Sequence, residues 1–157
     1  MSAVKVTTKK KKSKAQIAKA KKAAKIKANA KKRSVVVKQA KIGSKKRVQY
    51  KWGGSSHRGW DCSGLVSYTY KKAGVRPPGG TRWNTRSLKK DKRFVKTTKP
   101  KVGDVVYQGN NHMGIYAGKK GKKHYIIDAS NPKSDTRTTT LWQSWDKRKV
   151  SFYTLKV

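Results

Sequence analysis

The chain has a single cysteine, Cys62, in the stretch GWDCSGLVSY. A cysteine attacks a carbonyl only as its thiolate, so the surroundings decide between nucleophile and packing. Asp61 is a good helix N-cap, and Gly74 a natural stop. Between them Leu65 meets Tyr68, and Val66 meets Tyr70 and Ala73, at helical spacing. The segment DCSGLVSYTYKKAG is therefore predicted to be a helix on a core, with Cys62 in its first turn. Unpaired N–H groups and the positive end of the dipole favour a thiolate there. Gly64 lets a second backbone or a substrate come close. The remaining requirement is a histidine to take the proton.

There are three histidines. His57 lies in the loop before Cys62, His112 opens the strand-like segment HMGIYAG, and His124 opens HYIIDAS. A Lys/Gly turn centred near residue 120 joins the last two segments into an antiparallel hairpin. A symmetric register about that centre pairs His112 with Asp128, Gly114 with Ile126 and Tyr116 with His124. Opposed side chains share a face, with Cβ atoms ~4.5–5.5 Å apart. Asp128 can then orient the His112 ring as the third member of a catalytic triad. An asparagine there, which still accepts from the ring N–H, should keep substantial activity. His124 is four residues from Asp128, ~13 Å along the strand, and fits the same site poorly. A slip of one residue would turn Asp128 to the other face.

These groups need elements to hold them. The segments DVVYQG, HMGIYAG, HYIIDAS and KVSFYTLKV read as short strands between turn residues. SVVVKQAKIG reads as a short helix with Ser34 as N-cap and Gly43 as stop. YKWGGSSHRGW is a glycine-rich loop, and RPPGGTRWNTRSLKKDKRF a long basic one. One or two helices followed by antiparallel strands is an α+β arrangement.

Charge sets the remaining limits. The 157 residues carry 34 lysines and 9 arginines against 6 aspartates and no glutamate, a net charge of +37. Nucleic acid, anionic glycopolymer and membrane headgroups are the partner classes such a charge suits. A lone cysteine excludes an internal disulfide, and no Cys/His spacing suits a zinc site, so neither metal nor cofactor is expected. No apolar run approaches the ~20 residues of a membrane span. No apolar h-region follows the basic N-terminus, so a Sec signal is not expected. Residues 1–47 hold 19 of the 43 basic residues and no acid. Residues 1–33 read as a Lys/Ala-rich tail, disordered alone and helical once an anion neutralises it, and residues 34–157 as the folded domain.

The blocks YKWGGSSHRGWDCSGLVSYTYKKAG, VGDVVYQGNNHMGIYAG and YIIDAS resemble, in order and spacing, the motifs of the NlpC-type cell-wall peptidases. The resemblance spans about residues 34–157. It implies a papain-like α+β fold, with N-terminal helices packed on an antiparallel sheet, and a cysteine peptidase acting on peptidoglycan stem peptides. It makes Cys62 the nucleophile, His112 the base and Asp128 the third polar residue. Tyr50 becomes an oxyanion donor beside the Cys62 N–H. Asp61 and Ser63 flank the nucleophile and shape the helix start, and Trp52 and Trp60 line the substrate's path. The implied scissile bond joins D-glutamate to the diamino acid, with a cross-bridge bond or the sugar–peptide amide as alternatives. Two departures stand out. The third position is commonly His, Asn or Gln in that family, and VRPPGGTRWN replaces its usual L-P-R-like motif.

Three readings compete for the basic tail: an anchor on anionic wall polymer, a nucleic-acid binder, or a docking arm for other virion proteins. Wall hydrolysis without a signal peptide suits a phage lysin released from the host cytoplasm or a hydrolase carried on the virion. The alternative from another class is a non-enzymatic, nucleic-acid-binding or structural virion protein that retains the fold. The tryptophans, Trp52, Trp60, Trp83, Trp142 and Trp145, suit core and cleft walls better than base stacking.

Overall fold

The computed structural model describes residues 11–141 and 145–157. Helix α1 (Lys14–Lys45) comes first. A two-stranded hairpin, β1 (Ser55–Ser56) and β2 (Gly59–Trp60), folds the loop ahead of helix α2 (Cys62–Lys72). Then come β3 (Phe94–Thr97), β4 (Val105–Gln108), β5 (His112–Lys120), β6 (Lys123–Ala129), β7 (Thr136–Thr140) and β8 (Val150–Leu155). These six form one antiparallel sheet in the order β3-β8-β4-β5-β6-β7.

The α+β expectation holds, and the four expected strands are β4, β5, β6 and β8. Two strands were not expected. β3 closes the long basic loop and pairs with β8, and the Thr-rich β7 pairs with β6.

Strand alternation divides the apolar side chains between the two faces of the sheet. Val105, Tyr107, Met113, Ile115, Ile127 and Ala129 join the helices' Val36, Ala40, Leu65, Val66 and Tyr70 in the main core. Val106 and Ile126 pack with Leu141 and Trp145 in a smaller cluster.

The basic N-terminus departs from expectation. A helix was expected to start at Ser34, with residues 1–33 a separate tail whose first ten residues lie outside the described part. One helix instead crosses that boundary, and Ser34 is an exposed interior residue. Its start is a capping box: the Ser13 hydroxyl accepts from Gln16 N–H, and the Gln16 side chain from Ser13 N–H. Val36, Val37, Ala40 and Gly43 dock one face on the core. A docked turn removes the nucleation cost, and Lys and Ala then extend the helix. Docking also reaches into the expected tail. Asn29 Nδ2 donates to the carbonyls of Leu155 and Lys156, and Arg33 Nε lies 4.0 Å from the buried Asp104. Residues 14–28 project from the domain as an exposed basic arm.

Candidate active site

Cys62 is the first residue of α2. Asp61 caps the helix, its carboxylate accepting from Gly64 N–H at 2.8 Å, from Gly53 N–H at 2.9 Å and from Ser63 Oγ at 3.3 Å. Arg82 locks this turn: its guanidinium donates to Asp61, to Ser63 Oγ and to the Gly54 carbonyl. Asp61 and Ser63 thus shape the helix start, as expected. Arg82 was not singled out in the sequence, although it sits in the segment that departs from the family pattern.

Gly64 explains the tight entry to α2. A Cβ there would overlap the Gly54 carbonyl, so two backbones meet where no side chain fits. Gly64→Ala should therefore destabilise the domain by about 3 kcal/mol, the upper end for overpacking, because backbone cannot yield as a side-chain tip can. Chemical denaturation of the purified variant measures this.

His112, at the start of β5, bonds through Nε2 to Asp128 Oδ2 at 2.9 Å, and Cys62, at the entrance to α2, lies close enough to act electrostatically on the same ring. With Nε2 on the carboxylate, Nδ1 is the nitrogen left for sulfur. The hairpin register is not the symmetric one. Ile115 pairs with Ile127 and Tyr116 with Ile126, and the ladder shifts again between Tyr116 and Gly118. Asp128 thus lies opposite Gly114 rather than His112. The displacement is two residues, which keeps both side chains on one face. Gly114 makes room for the diagonal contact: a Cβ there would lie 3.3 Å from the Asp128 Cβ.

Asp128 is fully buried and holds three donors. Besides His112, Trp145 Nε1 donates to Oδ2 at 3.0 Å and Arg137 Nε to Oδ1 at 3.0 Å. Arg137 is the directly opposed residue on β7. Trp145 also packs against the His112 ring, with centroids 4.8 Å apart. Burial pushes the Asp128 carboxyl up, but the hydrogen bonds from His112 and Arg137, with their charges, hold it below its ordinary value. Burial likewise pushes the His112 imidazole down, and the bonds and charges of Asp128 and Cys62 outweigh it, holding the ring up to about 9.

That value sets a pH limit. Protonated His112 stabilises the fold fully below its ordinary 6.5, and this contribution is lost as pH rises through about 9. In a cysteine-peptidase reaction a ring so placed would be the proton donor to a leaving amine. The alkaline limb of kcat/KM should therefore have its midpoint near pH 9, measured with a soluble stem peptide.

Tyr50 is half-buried, and its phenol is pushed up by burial first and then by the charges of Asp61 and Cys62. Tyr107 also feels Cys62. It is fully buried, its hydroxyl has no hydrogen-bond partner among the described residues, and Lys89 Nζ lies 4.4 Å from its ring centroid. Trp52 is 85% exposed. Trp60 corrects an expectation: it is fully buried, packs against Gly43 of α1 and donates from Nε1 to Thr136 Oγ1 at 2.6 Å, so it is core rather than cleft wall. His57 packs edge-on against Trp60 and at a tilt against Tyr68, and His124 bonds Tyr116 Oη at 2.7 Å, so neither joins His112 and Asp128. Trp142 lies outside the described residues.

A helix-entrance cysteine, a hairpin histidine and a buried third polar group on an α+β scaffold are the arrangement that the resemblance to cell-wall cysteine peptidases implies. The NlpC/P60 family model matches residues 47–151, and the chain belongs to that family. It is 36% identical over 126 residues to the murein DD-endopeptidase MepH of Escherichia coli, covering 72% of this chain and 44% of that one. It is 31% identical over 115 residues to the bifunctional muramidase/DL-endopeptidase CwlT of Bacillus subtilis, covering 68% and 32%. The chain thus spans less than half the length of either relative. Among solved structures, the NlpC/P60 domain of the peptidoglycan hydrolase SagA superposes with a TM-score of 0.59 at 23% identity, over 79% of this chain and 98% of that one. An NlpC/P60 family protein from Bacillus cereus gives 0.62 at 19%, over 78% and 39%. These two likenesses establish the fold.

Proposed function

We propose that this chain is a cysteine endopeptidase that cleaves peptidoglycan stem peptides between D-glutamate and the diamino acid. The observation that carries the reading is that Asp128 bonds the His112 ring while Cys62, at the entrance to α2, acts on the same ring. The Cys62 thiolate attacks the peptide carbonyl, and the oxyanion is held by the Cys62 N–H and the Tyr50 hydroxyl. His112 gives its proton to the departing amine as the C–N bond breaks, leaving a thioester. His112 then takes a proton from water, whose oxygen displaces the sulfur and releases the acid.

The relative CwlT, a DL-endopeptidase, supports this choice of bond. MepH, a DD-endopeptidase, favours a second reading in which a cross-bridge bond is cut. Mass spectrometry of digested muropeptides separates them. New fragments beginning at the diamino acid are expected. Fragments split only at D,D bonds, or sugars freed from intact stems, would replace this assignment.

The exposed basic arm is read as a polyanion contact that holds the enzyme on its insoluble substrate. Delivery by a bacteriophage, as a lysin or a virion-borne hydrolase, belongs to the same reading by analogy. Proteomics of purified virions from a phage carrying this gene, beside the lysate they came from, tests it.

A further inference from the structure

Where α1 meets the C-terminal strand, a cavity of about 320 Å³ opens between the helix, the turn after α2 and the ends of β3 and β8. It shares no residue with the catalytic site. Lys25, Lys32, Lys92, Arg93 and Lys156 converge on it from three separate segments, and its walls contain no acid and no aromatic residue. Arg93 is held by Asp91, at 2.7 and 3.0 Å, and by the Arg76 carbonyl. Among the described residues the four lysines have no such neutraliser. Across the described residues, every ion pair uses an arginine or a histidine and none a lysine. The rim is built rather than incidental, since Asn29, 3% exposed, clamps α1 to the Leu155 and Lys156 carbonyls at its edge. From Lys25 the arm carries the same charge onward toward Lys14.

We infer that this cavity binds the phosphodiester backbone of an anionic wall polymer, a polyol-phosphate chain, with the arm as its continuation. The inference rests on the wall-hydrolase reading for its choice of polymer. Four unpaired ammonium groups around one opening suit phosphate oxygens, whose condensed counterions are released on contact. The absence of an aromatic wall removes the stacking surface that single-stranded nucleic acid uses.

The test compares the full chain with two variants of equal charge. One has Lys25, Lys32, Lys92 and Lys156 changed to Gln. The other has Lys119, Lys120, Lys122 and Lys123, exposed on the β5–β6 hairpin, changed likewise. Labelled poly(glycerol phosphate) and a DNA duplex are titrated across a salt series. The cavity variant should lose at least ~30-fold in affinity for poly(glycerol phosphate). Its slope of log K against log salt should flatten by about 3, at roughly 0.7 per lost contact on a single-stranded polyanion. The hairpin variant should change less than ~3-fold. Equal losses in both variants would make the effect bulk charge and overturn the site. A duplex bound more tightly than poly(glycerol phosphate), and lost with the same four lysines, would overturn the wall-polymer assignment. Turnover of soluble muropeptides should be unaltered in the cavity variant. A wild-type chain that binds the polymer but cuts no muropeptide would instead refute the hydrolase reading.

Discussion

Cys62→Ala should abolish the loss of turbidity when purified cell walls are treated with the protein, a fall in rate on the order of 10⁴ or more. The effect is this large because the sulfur forms the only covalent intermediate of the proposed reaction, and no other cysteine exists to replace it. The fold should survive. Cys62 is partly exposed at a helix entrance whose cap and clamp belong to Asp61 and Arg82. Retention on anionic polymer should also persist, because the basic arm and the cavity lie elsewhere. A folded Cys62→Ala protein that still clears walls would place the nucleophile on another residue.

The second large effect concerns charge around His112. Read from the sequence, Asp128→Asn seemed mild. Arg137 changes that expectation. In the wild-type site the charged groups facing the ring are Asp128, the Cys62 thiolate when formed, and the Arg137 cation behind Asp128. Asparagine removes the anion and leaves the cation, so protonated His112 loses its partner and faces a like charge. Asp128→Asn should therefore lower kcat/KM by about 100-fold and move the alkaline limb to lower pH. Arg137→Gln should do the opposite to the limb, since Asp128 then acts on the ring unopposed. The double variant, with neither charge, should recover about tenfold over Asp128→Asn alone. Arg137→Lys should stay close to wild type in limb position, because the compensating charge is kept. Additive losses in the double variant, with no shift of the limb in any single one, would show that Arg137 only packs against the strand.

The alanine at Gly64 and the pH limit near 9 probe the same arrangement from its two sides, the helix entrance and the hairpin. A domain that tolerated Gly64→Ala would mean that the Gly54 loop is free to move, and Cys62 would then lack a fixed approach to His112.

Local chemistry was legible wherever it was encoded within a few residues. Asp61 as a cap, Gly64 as a close approach and Gly74 as a stop all follow from side-chain type at adjacent positions. The parity that puts Asp128 with His112 also came from the sequence, since alternation along a strand survives a two-residue displacement. The start of α1 is encoded locally too, in the Ser13–Gln16 box, a feature that the reading of residues 1–33 as a self-repelling tail did not use.

What only the tertiary structure decided are the partners that arrive from far along the chain. Arg137 reaches Asp128 because a Thr-rich edge strand aligns on β6, and Trp145, from beyond that strand, bonds Asp128 and packs on His112. Arg82 reaches back across the basic loop to clamp the nucleophile turn, and Trp60 is drawn into the core by the gap at Gly43. Each depends on strand order and close approach between distant segments, which no residue type or spacing specifies. The sequence determined which atoms could react; packing determined which charges surround them.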